Sequence, residues 1–193
     1  YENGLQRARF LPAIALLYEF TTVSNVDGGV DYRLRALEQA ELFHSPLDEG
    51  AYSSLLKSFK SLAPEQGIEK EVVEVLGREI ETIVCADDVV WFDFYALCDG
   101  PRSQNDYIEL SKIYHAVLVS DVPLMSEKND DQVRRFINMI DEFYDRNVKV
   151  IISAAESIDQ LYLGGRLEFE FERTQSRLLE MQSHDYLAKE HKP

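Results

Sequence analysis

Two arginines near the start of the chain are the first candidates for a chemical role. Arg7 and Arg9 lie two residues apart, where an apolar helical pattern begins. Guanidinium groups held on a rigid element suit phosphoryl transfer, because their forked donors stabilise negative charge that spreads onto a γ-phosphate. Two arginines at a helix start more often form surface ion pairs, so the spacing alone is weak evidence for a catalytic role.

Two further arginines follow in an alternating run. Arg33 and Arg35 would lie on one face of a strand together with Asp31, while Tyr32 and Leu34 point to the other face. The sequence therefore predicts a local ion-pair ladder between these arginines and Asp31.

A last arginine pair lies near the carboxyl terminus. Arg173 and Arg177 are four residues apart and so share one face of a predicted helix. They could reach a nucleotide or a carboxylate of a partner, but the nearby acids favour ion pairs with Glu180 and its neighbours.

Asp121 follows the apolar run 116–119, which is where P-loop ATPases carry a carboxylate that orders Mg²⁺. The residue after it is Val122 rather than an acid, and no GxxxxGK(S/T) segment precedes it. We therefore interpret Asp121 as a turn residue at a strand end.

Other chemical motifs are absent from the sequence. It contains no GxSxG, HExxH or CxxC segment, and its four histidines have no spacing that brings two onto one helix face. Cys85 and Cys98 lie in apolar surroundings and are predicted to be buried free thiols. These residues alone do not make a self-sufficient enzyme, and no metal or cofactor ligand is assigned.

The net charge of −15 argues against nucleic acid or an anionic membrane surface as the main partner. Residues 1–35 are neutral, whereas residues 36–193 hold 16 basic and 31 acidic residues. A basic or metal-bearing partner fits this second part, and so does simple solubility. No apolar run approaches the ~20 residues that cross a bilayer, so contact with a membrane is peripheral at most.

The first half predicts a helix followed by short strands. An apolar stripe indicates a helix over residues 10–20, with Pro12 in its first turn. Asp-Gly-Gly at 27–29 predicts a tight turn between strands 21–26 and 30–35. A third strand over 41–44 and a helix over 50–63 come next. The runs 71–76, 78–85 and 89–94 are typical of an antiparallel meander.

The second half predicts alternating helices and strands. Ser103 with Asp106 resembles a capping box at the start of a helix. The apolar runs 116–119 and 148–153 flank an amphipathic helix, which predicts a right-handed βαβ unit with parallel strands. A terminal helix is expected over about 170–189. The glycine-containing segments 1–4 and 161–165 both lead into helices, which indicates either a duplicated half or the common use of glycine before a helix.

Five segments spread along the chain resemble, in family order, the ZapE family of AAA+ ATPases, which includes bacterial cell-division proteins and their mitochondrial relatives. They are residues 1–12 (YENGLQRARFLP), 27–35 (DGGVDYRLR), FDF at 92–94 with LC at 97–98 and DY at 106–107, RRFI at 134–137 with ID at 140–141 and YD at 144–145, and 169–182 (FEFERTQSRLLEMQ) with YL at 186–187.

The resemblance implies a cytoplasmic ATPase at the division septum that alters FtsZ polymers when ATP is present. It also implies ATP and Mg²⁺ as cofactors of the full-length protein. The family's Walker A, Walker B and sensor 1 segments would bind them, and these segments precede the part that matches here. It also implies a homo-oligomer in which Arg7 or Arg9 is the arginine finger for a neighbouring subunit, with Arg7 slightly favoured. The 193-residue chain alone is then expected to be inactive and to bind no nucleotide tightly.

The predicted fold class is α/β: the C-terminal part of an AAA+ ATPase, with a small antiparallel β insertion and a C-terminal unit that contains a βαβ. We expect residues 1–35 to end the AAA+ core, residues 36–99 to form a helix and the insertion, and residues 100–193 to form the C-terminal α/β unit. The alternative function is a partner-binding module, in which the acidic C-terminal unit docks a protein without catalysis.

Overall fold

The structure, a computed structural model, describes residues 7–22, 32–63 and 67–193, the side chains of residues 7–9 excepted. The chain divides into two compact units, Tyr1–Asp31 and Tyr32–Pro193.

The described part of the first unit contains helix α1, Arg7–Phe20. The predicted helix over residues 10–20 is therefore confirmed, but it starts earlier than expected. Pro12 consequently lies inside the helix rather than in its first turn. Most of the predicted hairpin that follows, residues 23–31, lies outside the described residues.

The second unit is built on an open, mainly parallel sheet. Its described strands pair in the order β1-β8-β7-β6-β5-β2, with β6, β7, β8 and β1 parallel and β5 and β2 antiparallel. Their bounds are β1 Phe43–His44, β2 Ile68–Glu69, β5 Val84–Cys85, β6 Val89–Asp93, β7 Ala116–Val122 and β8 Lys149–Ala154. Strands β3 Val72–Val75 and β4 Arg78–Glu81 form a separate antiparallel pair.

Helices cover both faces of this sheet. They are α2 Tyr32–Gln39, α3 Ala51–Leu62, α4 Phe94–Cys98, α5 Gln104–Ile113, α6 Asp130–Asp145, α7 Glu168–Met181 and α8 His184–Leu187. One apolar core joins α2 and α3 to the face that carries Trp91 and Leu118; the other joins α4 to α7 to the face that carries Phe92 and Val119. The alternation follows because successive strand residues point to opposite faces.

The α/β fold class is confirmed, as are the small antiparallel sheet and the βαβ unit of β7, α6 and β8. The capping box at the start of α5 is also present, with the Ser103 N–H donating to Asp106 at 2.7 Å. Both cysteines are buried and free, and burial raises the pKa of each thiol.

The predicted second strand of the hairpin is wrong, because Tyr32–Gln39 forms helix α2. Its residues are mostly good helix formers, and Leu34 and Leu37 are three apart, so they face α3 together. Arg33 and Arg35 therefore do not share one face of a strand, as the sequence predicted, but lie in this helix. Arg33 instead pairs with Asp88 at 2.7 Å, and Asp31 lies outside the described residues.

The meander is only partly confirmed. Strand β6 pairs with β5 on one side but lies parallel to β7 on the other, inside the main sheet. Its residues Val89, Val90, Trp91 and Phe92 are all fully buried, and such a continuous apolar run is typical of a central parallel strand. Parts 36–99 and 100–193 thus share one sheet, and the three-part division stays a prediction about the full-length protein.

The predicted terminal helix is broken in two. Helix α7 ends at Met181, and the Ser183 side chain accepts a hydrogen bond from the Tyr186 N–H to start α8. Serine competes for backbone donors in this way, so it favours a new cap over helix continuation. Over the part of the chain that the structure describes, no helix has both the length and the apolar character needed to span a membrane.

Candidate functional site at the carboxyl edge of the sheet

The carboxyl ends of β1, β6, β7 and β8 form one edge of the sheet, hereafter the carboxyl edge. In open α/β sheets ligands bind outside this edge, where the connections from two adjacent strands leave to opposite faces. Here β1 is followed by α3 on one face, and its neighbour β8 is followed by α7 on the other. The crevice at the ends of β1 and β8 is therefore the position at which this topology would hold a ligand.

A hydrogen-bonded network surrounds His44, the last residue of β1. The His44 ring reaches Glu41 through Nδ1 at 2.8 Å and Asp48 through Nε2 at 3.0 Å. The Ser54 hydroxyl donates to the same Glu41 oxygen at 2.7 Å. Hydrogen bonds to Glu41 and Asp48 raise the pKa of His44. The hydrogen bonds from Ser54 and His44 lower the pKa of Glu41.

This network borders a pocket of about 500 Å³ between α2 and α3. Its wall also carries several serines and Lys57 of α3. The arrangement offers hydroxyl donors and one ammonium group, but the imidazole is bonded to two carboxylates rather than to a hydroxyl. His44 is therefore not placed to activate Ser54 as a nucleophile.

Polar side chains also lie near the carboxyl ends of the central strands β6, β7 and β8. The Asp121 N–H donates to the Ser153 hydroxyl at 3.1 Å, across an irregularity in the pairing of β7 with β8. Asp121 is exposed and has a φ of 59°, a left-handed backbone that is uncommon for a residue other than glycine. Burial raises the pKa of Asp93 at the end of β6, and the Asp121 carboxylate adds to this rise.

Strand β7 continues through Val122, so Asp121 lies inside the strand with a left-handed backbone, and the prediction of a turn residue at the strand end is not confirmed. Among residues 7–22, 32–63 and 67–193, no group of three or more histidine, cysteine, aspartate or glutamate side chains is placed to hold a metal ion. The carboxyl edge therefore shows separate polar groups rather than one metal-binding constellation.

Arg7 and Arg9 occupy the first turn of α1, at its first and third residues. Their side chains lie outside the described part of the structure, so the assignment of either one as a catalytic residue stays a prediction.

Arg173 and Arg177 do share a face of α7, but their partner is not Glu180. Both guanidinium groups pair with Asp141 of α6, and Arg177 also lies 3.6 Å from Asp145. Glu180 instead accepts a hydrogen bond from the Tyr144 hydroxyl at 2.6 Å. These arginines hold α7 on α6 because the acids nearest to them in space belong to another helix.

The sequence interpretation missed the buried Lys149 at the start of β8. Its ammonium group donates to the carbonyl oxygens of Asn147, Tyr186 and Lys189, at 2.7 to 3.2 Å. A lysine that is only 2% exposed is rare without partners, so it anchors the carboxyl-terminal segment to the sheet. The sequence does contain a signal for this anchor, because Lys149 stands in an otherwise apolar strand.

By its fold, the second unit belongs to the class of open α/β sheets with helices on both faces. The model of the AFG1-like ATPase family matches residues 1–190, so the chain belongs to that family. No solved structure matches the chain.

Three curated relatives show how the match is distributed. The chain is 45% identical over 191 residues to "Cell division protein ZapE" of Escherichia coli, which covers 99% of this chain and 51% of that protein. It is 30% identical to "Lactation elevated protein 1 homolog B" of Danio rerio, covering 96% of this chain and 44% of the relative. An uncharacterized protein of Schizosaccharomyces pombe is 34% identical, covering 84% and 36%. The chain thus spans between 36% and 51% of the length of these three relatives.

Proposed function

We propose that this chain is the C-terminal part of an ATP hydrolase of cell division, and that it supplies an arginine to ATP bound by a neighbouring subunit. The observation that carries the proposal is the position of Arg7 and Arg9 in the first turn of α1, within the segment that resembles the arginine-finger region of ZapE-type ATPases. ATP and Mg²⁺ would be held by a part of the full-length protein that this chain does not contain.

The chemistry asked of the arginine is limited and specific. In phosphoryl transfer negative charge develops on the oxygens around the γ-phosphate, and an arginine from a neighbouring subunit stabilises that charge. Because this contact is made in the transition state, its loss lowers turnover much more than nucleotide binding. The supply of the residue from a neighbour requires a homo-oligomer.

Alanine substitutions in the full-length protein test the proposal. We expect Arg7→Ala or Arg9→Ala to leave ATP binding intact and to lower turnover at least ~10³-fold. Arg7→Lys and Arg9→Lys distinguish the forked donor from charge alone. The matched control is Arg134→Ala, which removes an exposed arginine of α6. Wild-type turnover in both alanine variants would contradict the proposal.

The cellular role that we propose is ATP-dependent action on FtsZ polymers at the division septum, in the cytoplasm. The relative named as a cell division protein supports the process, and FtsZ follows from the family resemblance. Sedimentation of FtsZ polymers with the full-length protein, with and without ATP, tests the partner. An identical polymer yield under both conditions would contradict it.

A partner-binding module is the second candidate, favoured by the excess of 31 acidic over 16 basic residues in 36–193. In that case the 193-residue chain, which we expect to hydrolyse no ATP, should still capture FtsZ in a pull-down. Salt that weakens the capture would indicate the acidic surface. Failure to bind at every salt concentration would count against the module.

A further inference from the structure

The segment that joins β1 to α3 has the form of a phosphate-binding loop. In P-loop NTPases a strand is followed by GxxxxGK(S/T) and then by a helix, and the loop lies at the carboxyl edge of the sheet. Here the parallel strand β1 ends at His44, and α3 begins at Ala51. The connecting loop lies in the crevice between β1 and β8 described above.

The spacing of this loop matches the motif, but its key residues do not. Residues 45–52 read SPLDEGAY, so Gly50 is in the position of the second glycine. Ser45 stands for the first glycine, Ala51 for the phosphate-binding lysine and Tyr52 for the hydroxyl residue that binds Mg²⁺. The connection from strand to helix therefore has the length of the motif without the side chains that hold a nucleotide.

The second strand of such a site is also present. Asp121 ends the apolar run of β7, as the Mg²⁺-ordering aspartate does in P-loop NTPases, and β8 lies between β7 and β1. The loop after β1 and Asp121 near the end of β7 therefore lie at the same edge of one sheet. The second unit therefore has both of the strand ends that a P-loop site would need.

A repeated segment supports the same interpretation. Tyr1, Gly4, Phe10, Leu17 and Glu19 recur with unchanged spacing in the segment that contains α7. Their counterparts are Tyr162, Gly165, Phe171, Leu178 and Glu180. Helices α1 and α7 each have 14 residues, and both begin six residues after the repeated tyrosine. At the positions of Arg7 and Arg9, α7 carries Glu168 and Glu170, so the arginines of the first copy are absent from the second.

We propose that residues 32–193 form a second, degenerate P-loop unit, in which the carboxylate of Asp48 lies where a nucleotide phosphate would bind. The Gly50 N–H donates to Asp48 Oδ1 at 2.8 Å, and the His44 ring reaches the same oxygen at 3.0 Å. A backbone N–H at a helix start is the donor that a phosphate would use. A Cβ on Gly50 would stand only 3.1 Å from this oxygen, so glycine permits the close approach.

The remaining residues do not fit ATP. Ala51 offers no charge to the phosphates, and the ring of Tyr52 packs against Trp91 with centroids 5.0 Å apart. Glu41 and Asp48 place two carboxylates beside the loop, and like charges repel a triphosphate. The loop therefore serves as an internal contact rather than a nucleotide site.

The proposal is tested on the 193-residue chain by following its backbone amides with ¹⁵N NMR. In the wild type, millimolar MgATP and millimolar pyrophosphate should leave the Gly50 and Ala51 resonances unchanged. Asp48→Ala should free the Gly50 amide from its side-chain acceptor and bind pyrophosphate at least ~10-fold more tightly than the wild type. The matched control is Glu49→Ala, which removes the neighbouring exposed carboxylate and should behave as the wild type.

Two results would overturn the proposal. Binding of MgATP at Gly50 and Ala51 in the wild type would make the loop a working site. Equal pyrophosphate affinity in Asp48→Ala and Glu49→Ala would show that the carboxylate occupies no anion site. If Asp48→Ala does not fold, the ¹³C titration of the wild-type carboxyls decides instead. The pKa of Asp48 should lie below the ordinary value for an aspartate, because the His44 ring and the Gly50 N–H both bond to its carboxylate, and an ordinary pKa would refute the contact. None of these readouts depends on Arg7, Arg9 or turnover, so they are independent of the proposed function.

Discussion

Helices α1 and α7 have the same length, and the segments that contain them repeat a tyrosine and a glycine before the helix and a phenylalanine and a leucine within it, yet the two helices differ in charge. Helix α1 begins with Arg7 and Arg9, whereas α7 has Glu168 and Glu170 at these positions. The arginines of α7 lie further along, where Arg173 and Arg177 bind Asp141. The two copies of the segment thus carry their arginines at different positions, at the start of α1 and further along α7, where they pack α7 against a neighbouring helix.

Exchange of the charges between the two helices has the largest expected effect. In the full-length protein, Arg7→Glu with Arg9→Glu copies α7 into α1 and should lower ATP turnover at least ~10³-fold, because the charge on the γ-phosphate loses its donor. The reciprocal Glu168→Arg with Glu170→Arg is the control and should leave turnover unchanged. Loss of activity in the reciprocal variant alone would reverse the roles that we assign.

Removal of a buried ring tests α7 as a packing element. Phe171, which corresponds to Phe10, is 1% exposed and lies 4.9 Å from the Tyr162 ring between centroids. Phe171→Ala should lower the free energy of unfolding by about 3 to 5 kcal/mol, since it leaves a cavity in the core. Urea unfolding of the 193-residue chain measures this, and Leu179→Ala, at a side chain 61% exposed, is the control that should change little.

Loss of the shared carboxylate has a smaller effect. Asp141→Ala leaves both Arg173 and Arg177 without their main partner, and Asp141 is only 20% exposed. We expect the free energy of unfolding to fall by about 1 to 2 kcal/mol. Asp145→Ala removes a carboxylate that is 59% exposed and 3.6 Å from Arg177, so its effect should stay below ~0.5 kcal/mol. Equal losses in the two variants would mean that Asp141 has no special role.

The smallest effect concerns the loop after β1, where pH changes the charge of the His44 network. A raised pKa of His44 means that its contribution to stability is complete below the pKa of the unfolded chain, about 6.5, and is lost as pH rises through the folded pKa. The lowered pKa values of Glu41 and Asp48 mean that their contribution is lost as pH falls below about 4. The network is therefore strongest between these limits.

Urea midpoints of wild type and His44→Gln, measured across pH, check this window. The difference between the two should be greatest near pH 5 to 6 and should shrink towards pH 8, since the imidazole then loses its charge. His184→Gln, at a histidine of α8 that is 65% exposed and contacts one carboxylate, Glu38, rather than two, is the control for the substitution. If the difference between the two urea midpoints does not depend on pH, the charge of His44 does not contribute to stability.

The elements that were predicted correctly are those whose signal is local. Val133, Phe136, Ile137 and Ile140 repeat with the helical period, and all lie in the core on α6. The capping box at Ser103 and the apolar runs of β7 and β8 likewise depend on neighbours in sequence. The errors arose where a short pattern fits two structures. The alternation around Leu34 suited a strand as well as a helix, and packing of Leu34 and Leu37 towards α3 favours the helix.

The candidate site shows the same division. Sequence alone identified Arg7, Arg9 and Asp121 as residues of interest, because motif order and spacing are linear properties. The loop 45–52 carries no recognisable motif in the sequence, since it lacks the lysine and the first glycine of a P-loop. The pairing of β1 with β8 reveals it, because that pairing brings the loop to the same edge as Asp121.

The amino-acid order was therefore sufficient for the α/β class, most helices, the central strands and the family to which the chain belongs. Folding in three dimensions assigned β6 to the parallel sheet, Asp141 to both arginines of α7, and Asp48 to the amide of Gly50. The reason is physical. Periodicity and capping act over a few residues, whereas strand order and ion pairs between helices depend on which distant segments bury their apolar faces together.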